Sequence, residues 1–191
     1  MCGGLARVEF RFVSIAADNV NEFACPSCGV VLDASGVRPL SRVACPGCEA
    51  TILVPGRFDR LLLTEAIGEG GQGGVYRARD EALERDVAVK VMLPECAGDA
   101  EHHAQLEREA RAAARMNHPH VAHVYSLGFF REQPYIVMEF VRGRDLKELV
   151  EAAPLDIARA VRIGLHVAEG LKAADDAGLV HGDIKPANII I

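Results

Sequence analysis

The sequence predicts an α+β fold, in which strands and a helix are followed by further helices and preceded by a small cysteine-bearing module. Runs of β-branched residues between turn residues predict the strands, and a stretch without Gly or Pro at 99–116 predicts the helix. We therefore divide the chain into an N-terminal segment at 1–22, the cysteine module at 23–56 and a larger domain at 57–191. Within the first segment, alternation at 8–12 indicates a short strand.

Composition and charge limit the classes of partner. Half of the 191 residues are hydrophobic and a quarter are charged, which is typical of a folded globular protein. The net charge of −6, without a block of Lys or Arg, argues against nucleic acid or an anionic membrane as the main partner. No apolar run reaches the ~20 residues of a membrane span. The first residues lack the pattern of a signal peptide, so we expect a cytoplasmic protein.

Four cysteines in the module form two Cys-x2-Cys pairs, at Cys25, Cys28, Cys45 and Cys48. Two residues between cysteines let a tight turn point both thiolates at one ion, and two such turns complete a tetrahedral sulfur shell that suits Zn²⁺. The module resembles a zinc ribbon, whose closed site leaves no position for catalysis. Two disulfides or four free thiols are the alternatives. Balanced charge and few aromatic residues favour a structural or protein-contact role over nucleic-acid binding.

Alternating and β-branched residues predict four strands in the larger domain, at 75–78, 86–91, 121–128 and 134–141. The predicted helix lies between the second and the third of these strands. It ends before Pro119, because the residue that precedes a proline is pushed out of the helical region.

Two capping residues indicate helices in the last third of the chain. Asp145 precedes a short helix, and Asp156 precedes a longer one. Gly178 fits the end of the longer helix. Apolar and small residues recur along one face of that helix, at Ile157, Ala160, Val161, Gly164, Leu165, Ala168 and Leu171.

A glycine motif lies near the start of the larger domain. Gly68, Gly70 and Gly73 satisfy Gly-x-Gly-x-x-Gly, a pattern that also marks dinucleotide-binding folds. In those folds the glycines open a helix, whereas here Val75 begins a run typical of a strand. The motif therefore favours a hairpin whose backbone approaches phosphates closely, because glycine carries no Cβ.

A lysine lies at the end of the second predicted strand. Because side chains alternate along a strand, Val87 and Val89 share one face, and Ala88 and Lys90 share the other. On its own, a lysine at this place is most often a solvated charge. Its position about fifteen residues after the glycine motif favours a role in binding phosphate.

Residues 181–188 read His-Gly-Asp-Ile-Lys-Pro-Ala-Asn and form the most specific motif in the chain. Together with the glycine motif and Lys90, in this order, they make the chain resemble a protein kinase of the serine/threonine type, as found in bacteria. Lysine two residues after the aspartate favours the serine/threonine class over the tyrosine class. The resemblance implies a small lobe at 57–138, built from an antiparallel sheet plus one helix, then a hinge and an incomplete large lobe at 139–191.

The resemblance implies a site for ATP and Mg²⁺ between the two lobes. Lys90 would contact the α- and β-phosphates and pair with Glu109, for which Glu107 is the nearest competitor. Ala88 would line the adenine pocket, and Met138 would stand at its back. The nucleotide-binding residues implied in this way are Gly68, Gly70, Gly73, Val75, Ala88, Lys90, Met138, Asn188 and the backbone of Glu139 and Val141.

The resemblance also assigns roles within the 181–188 motif. Asp183 would accept or orient the proton of a serine or threonine hydroxyl on a protein substrate, and Lys185 would neutralise the transferred phosphoryl group. Asn188 would hold a magnesium ion. Gly182 departs from the family pattern, which has an arginine that pairs with a phosphorylated activation loop. We therefore expect an activity that does not depend on that switch.

The sequence contains no Asp-Phe-Gly or Ala-Pro-Glu motif after Asn188. We therefore expect this chain to be a fragment of a longer kinase, inactive by itself, with the apolar face of its last long helix exposed. The alternatives are a non-catalytic half-kinase that binds nucleotide and a zinc-ribbon adaptor that binds other proteins.

Overall fold

A computed structural model describes residues 15–70, 73–92 and 100–191. The strand indicated at 8–12 lies outside these residues. The strands are Asp18–Asn19 (β1), Glu22–Ala24 (β2), Val31–Asp33 (β3), Arg42–Ala44 (β4), Thr51–Leu53 (β5), Gly56–Phe58 (β6), Leu61–Gly70 (β7), Gly73–Asp80 (β8), Arg85–Met92 (β9), Val124–Phe130 (β10) and Gln133–Glu139 (β11). The helices are Ala100–Arg115 (α1), Leu146–Ala152 (α2) and Ile157–Asp176 (α3), and a 3-10 helix covers Pro186–Asn188.

Seven of the strands form one antiparallel sheet, in the order β1-β6-β7-β8-β9-β11-β10. Helix α1 packs against β10 at the edge of this sheet. The structure thus confirms the predicted antiparallel sheet with one helix. One face of the sheet carries the main core, which comprises Phe58, Leu61, Leu63, Tyr76, Ala78, Val87, Val89, Val91, Tyr135 and Val137.

The ends of two predicted strands differ from the structure. Strand β10 begins at Val124 rather than at Val121, because the chain turns after Pro119. In that turn the Val121 amide donates a hydrogen bond to the His118 carbonyl at 3.1 Å. Strand β11 ends at Glu139, whereas the sequence predicts extension to 141.

Both predicted helix caps are present. The Asp145 carboxylate accepts a hydrogen bond from the Glu148 amide, and the Asp156 carboxylate accepts one from the Arg159 amide, each at 2.8 Å. Helix α3 ends at Asp176, close to the predicted Gly178. Its apolar face is open to solvent, with Ile157 84% exposed. Within the described residues, no helix has both the length and the apolar character that crossing a membrane requires.

The cysteine module is attached to the sheet at both of its ends. Strand β1 lies before the module and pairs with β6, which follows it. The Ala16 amide donates to the Gln133 side chain at 3.0 Å, and Arg131 pairs with Asp18 at 2.6 Å. Leu40 and Leu53 of the module pack against the main core. The chain therefore leaves the sheet, forms the module and returns to a neighbouring strand.

Candidate functional site

The four cysteines of the module converge on one point. The sulfurs of Cys25 and Cys48 lie 3.8 Å apart, those of Cys28 and Cys45 lie 3.7 Å apart, and all four fall within 4.8 Å of one another. A tetrahedral Zn²⁺ site with Zn–S bonds near 2.3 Å requires sulfurs about 3.8 Å apart. The structure thus brings the four predicted ligands together, and two of their sulfur–sulfur distances match the spacing of a tetrahedral Zn²⁺ site.

The pKa values of two of these thiols, Cys25 and Cys28, are shifted in opposite directions. Burial raises the pKa of Cys25, but hydrogen bonds from the Cys28 and Ser27 amides and from neighbouring thiols lower it to about 6. The Val30 amide lowers the pKa of Cys28, but burial and the nearby sulfurs raise it to about 12. Of these two thiols, Cys25 is therefore the one that ionises more readily. Metal binding would ionise Cys28 as well and release its proton.

The glycine motif lies on the hairpin between β7 and β8, as predicted. Gly68 pairs with Val75, and Gly70 pairs with Gly73. Gly73 has a φ of 143°, and a Cβ added there would lie 2.0 Å from the Val91 carbonyl oxygen. The third glycine is therefore required by the close approach of β8 to β9 in the absence of any ligand.

The three central strands place the residues proposed for the nucleotide side by side. Val75 of β8 pairs with Lys90 of β9, and Ala88 of β9 pairs with Met138 of β11. Val87 and Val89 are fully buried on the core side, whereas Lys90 is half-buried on the opposite side. The predicted alternation of faces is confirmed.

Helix α1 carries the proposed partner of Lys90. Glu109 is exposed on this helix. Glu107, its nearest competitor in the sequence, pairs with Arg111 at 2.8 Å. The sequence-based choice of Glu109 therefore stays a prediction.

The predicted hinge follows the end of β11 at Glu139. The Glu139 amide donates to the His123 carbonyl at 2.8 Å, and the His123 amide donates to the Glu139 carboxylate at 3.2 Å. The Glu139 amide is therefore already used, which leaves its carbonyl and the Val141 amide as the backbone groups to consider for adenine. Sequence reasoning missed His123, because its contact with Glu139 depends on the turn that precedes β10.

The 181–188 motif forms a connected polar cluster. Lys185 Nζ lies 2.8 Å from Asp183 Oδ2, and Asn188 Nδ2 donates to Asp183 Oδ2 at 3.0 Å and to the Asp183 carbonyl at 2.8 Å. The Asp183 amide donates to His181 Nδ1 at 3.3 Å. Lys185 and Asn188 hold the pKa of the Asp183 carboxyl below its ordinary value, so it is ionised at neutral pH. Gly182 has a φ of 72°, where glycine is the least strained residue.

Backbone pairing places this motif next to the segment that follows the hinge. The Leu146 amide donates to the Ile189 carbonyl at 2.8 Å, and the Ile191 amide donates to the Arg144 carbonyl at 2.9 Å. The predicted catalytic residues are therefore tied to the start of α2. The structure thus unites Asp183, Lys185 and Asn188 in one loop, and Val75, Ala88, Lys90 and Met138 on one part of the sheet.

Comparison with known proteins gives a consistent result. The family model described as protein kinase domain matches residues 62–191. The chain is 40% identical over 138 residues to the serine/threonine-protein kinase PknB of Mycobacterium tuberculosis, and 38% identical over 134 residues to a probable serine/threonine-protein kinase of Clostridium perfringens. Each match covers 70% of this chain, but only 22% and 20% of those proteins. The chain thus spans about a fifth of the length of these curated relatives.

Solved structures agree with the sequence comparison. The crystal structure of the Mycobacterium tuberculosis PknI kinase domain is similar, with a TM-score of 0.61 and 32% sequence identity. The match covers 70% of this chain and 55% of that one.

Proposed function

The chain belongs to the protein kinase family, with bacterial serine/threonine kinases as its relatives, and we propose that it provides the ATP-binding half of such an enzyme. In this proposal the γ-phosphoryl group of ATP is transferred to a serine or threonine hydroxyl of a protein. The observation that carries the proposal is the connected cluster of Asp183, Lys185 and Asn188. An ionised carboxylate beside an ammonium group and an amide supplies a proton acceptor and a phosphate contact in one loop.

Each residue of the cluster has a distinct chemical task. Asp183 accepts or orients the proton of the attacking hydroxyl, and Lys185 offsets negative charge on the phosphoryl group. Both hydrogen bonds of Asn188 to Asp183 use Nδ2, which leaves its amide oxygen as a ligand for Mg²⁺. Bound Mg²⁺ would neutralise charge on the phosphates. At the other side of the nucleotide, Lys90 and the glycine hairpin hold the phosphates.

MgATP binding tests the first half of this proposal. Titration of the 191-residue polypeptide with MgATP should show saturable binding. Lys90→Ala should weaken it about tenfold or more, because a hydrogen-bonded charge is lost. Lys147→Ala is the control, because Lys147 pairs with Glu151 on α2. The absence of MgATP binding, or equal binding by the Lys90→Ala variant, would contradict the proposal.

Phosphoryl transfer tests the second half. We expect the 191-residue polypeptide to bind nucleotide without transferring phosphate, because its sequence contains no Asp-Phe-Gly aspartate for Mg²⁺. A chimera that supplies the remaining large lobe of a bacterial relative should label a protein substrate with radioactive phosphate and lose this activity with Asp183→Asn. An inactive chimera that still binds MgATP would instead favour a non-catalytic nucleotide-binding module.

We further propose that Cys25, Cys28, Cys45 and Cys48 hold one structural Zn²⁺ ion. The sulfur spacing supports this proposal, and the four ligands leave no open position for a substrate. A reducing location such as the cytoplasm follows, because clustered thiols keep a metal only where disulfides do not form. The module then serves as a structural extension or a protein-contact surface.

A further inference from the structure

Three arginines converge on one carboxylate beside the hinge. Arg77 Nη2 lies 2.7 Å from Asp86 Oδ2, Arg142 Nη2 lies 3.6 Å from the same oxygen, and Arg79 Nη1 lies 3.5 Å from Asp86 Oδ1. We refer to Arg77, Arg79, Asp86 and Arg142 as the Asp86 cluster. The Asp86 side chain is only 20% exposed, whereas that of Arg142 is 80% exposed. Glu65 also approaches Arg77, at 3.6 Å.

The cluster connects two parts of the chain that are far apart in sequence. Arg77 and Asp86 belong to β8 and β9, whereas Arg142 follows the end of β11. The Arg77 guanidinium also lies over the ring of Phe140, 4.9 Å from its centre. Phe140 and Arg142 are the two neighbours of Val141. Both neighbours of the proposed adenine donor therefore contact side chains of the sheet.

Strand register places this connection at the edge of the proposed adenine pocket. Arg77 pairs with Ala88, and Ala88 pairs in turn with Met138. Val87, the residue after Asp86, pairs with Glu139 at the start of the hinge. Asp86 is therefore only one residue away from Val87, the strand partner of Glu139, whose carbonyl is considered for adenine.

We propose that Asp86, through Arg77 and Arg142, is a positioning residue that fixes the hinge backbone at Val141 for the adenine base. The inference rests on the proposed function, because it assumes that ATP occupies this site. Without the carboxylate, Arg77 and Arg142 would be like charges at short range and would separate. The Asp86 pKa is held below its ordinary value by Arg77, so the carboxylate is charged at neutral pH. The segment at 140–142 would then lose the ion pair that joins Arg142 to β9, and Arg77 would be less firmly placed over Phe140.

The test compares MgATP with magnesium tripolyphosphate, which has the three phosphates but lacks the adenine and the ribose. We expect Asp86→Asn to raise the dissociation constant of MgATP about three- to fivefold and to leave that of magnesium tripolyphosphate unchanged. Asp86→Glu should restore part of the affinity for ATP. Glu81→Gln is the matched control, because it breaks another ion pair of the same sheet, Arg57 Nη1 to Glu81 Oε2 at 2.5 Å, which does not involve the hinge. It should change neither constant.

Hydrogen exchange provides a measurement that needs no nucleotide. The amides of Glu139 and Arg144 bracket the hinge and donate to the carbonyls of His123 and Ile191. Both should exchange faster in Asp86→Asn than in the wild type, and at the wild-type rate in Glu81→Gln. Unchanged exchange, or an equal loss of affinity for ATP and tripolyphosphate, would overturn the inference. If the wild type binds neither ligand, the proposed function fails, whereas the exchange rates still decide whether Asp86 anchors the hinge.

Discussion

The cysteine module and the seven-stranded sheet differ in what holds them together. At the cysteine end of the module, the described cluster of buried residues consists of Cys25, Cys45 and Ile52, and two of these are candidate metal ligands. The core of the sheet is built from side chains such as Phe58 and Leu63, both 0% exposed. A cluster with so little apolar burial would depend on the proposed Zn²⁺ ion for its free energy of folding, whereas the sheet depends on packing.

The contacts between the two regions determine whether unfolding of one region destabilises the other. Leu40 and Leu53 belong to the module in sequence but pack against the core of the sheet. The Leu40 amide donates to the Val54 carbonyl at 2.8 Å, and Val54 is only 1% exposed. The base of the module is therefore held by packing, and its cysteine end is held by the proposed metal site.

Removal of the metal should have the largest effect. Cys45→Ser or a strong chelator should unfold the cysteine end of the module, because structural Zn²⁺ contributes on the order of 10 kcal/mol or more to folding. Hydrogen exchange should increase at 23–34 and 42–52, and much less at 61–92. Leu83→Ala, at an exposed turn of the sheet, should have no such effect. Metal analysis that finds no zinc in the reduced, purified protein would refute the site.

A cavity in the sheet should destabilise the sheet and leave the cysteine end of the module largely unaffected. Leu63→Ala should lower the free energy of unfolding of the sheet by about 3–5 kcal/mol, because Leu63 is fully buried. Leu62→Ala is the matched control, since Leu62 lies on the opposite face and is half-buried. Urea unfolding followed by hydrogen exchange should show the loss in the sheet, with zinc content unchanged. Loss of zinc in Leu63→Ala would mean that the module cannot fold without the sheet.

The two regions also differ in how well the sequence predicts them. The spacing of four cysteines predicts their convergence, because ligand geometry is local to two short turns. Alternation predicts β8 and β9, and the caps at Asp145 and Asp156 predict α2 and α3, because these signals are also local. The pairing of β1 with β6 could not be predicted, since β1 is two residues long and its partner lies beyond the module.

The candidate site shows the same limit. Asp183, Lys185 and Asn188 lie within six residues of one another, so their motif predicts their proximity. The Asp86 cluster joins strands to a segment that follows β11, and no local pattern marks it. Arg77 and Arg79 alternate with buried residues along β8, which indicates only that they share a face. Contacts that depend on the register of distant strands need the folded structure.

Adding a methyl group should change the stability of the sheet by different amounts at two glycines of the hairpin. Gly73→Ala should lower the free energy of unfolding of the sheet by about 1–3 kcal/mol, because its Cβ would lie 2.0 Å from the Val91 carbonyl oxygen. Gly68→Ala should be much milder, since its nearest neighbour would be Val75 Cβ at 3.7 Å. Thermal unfolding of both variants checks this difference. Equal stability of the two would show that β9 moves freely away from β8.

The smallest expected effect is the pH dependence of the stability that Tyr135 contributes where the sheet meets the module. The Tyr135 hydroxyl donates a hydrogen bond to the carboxylate of Asp59, which directly follows β6. Burial and the Asp59 charge raise the pKa of Tyr135 from 10.0 to about 12. Because the folded-state pKa is the higher one, the stabilisation is fully present below pH 10 and is lost as the pH rises towards 12.

Tyr135→Phe separates this contribution from other alkaline effects. The variant should be less stable by about 1 kcal/mol at neutral pH, because one hydrogen bond is lost. Between pH 10 and 12 its stability should fall less steeply than that of the wild type, since the titrating hydroxyl is gone. Urea unfolding at each pH measures both slopes, and parallel slopes would show that Tyr135 does not link Asp59 to the sheet. Unchanged zinc content in the variant would show that this contact stabilises the sheet and not the proposed metal site.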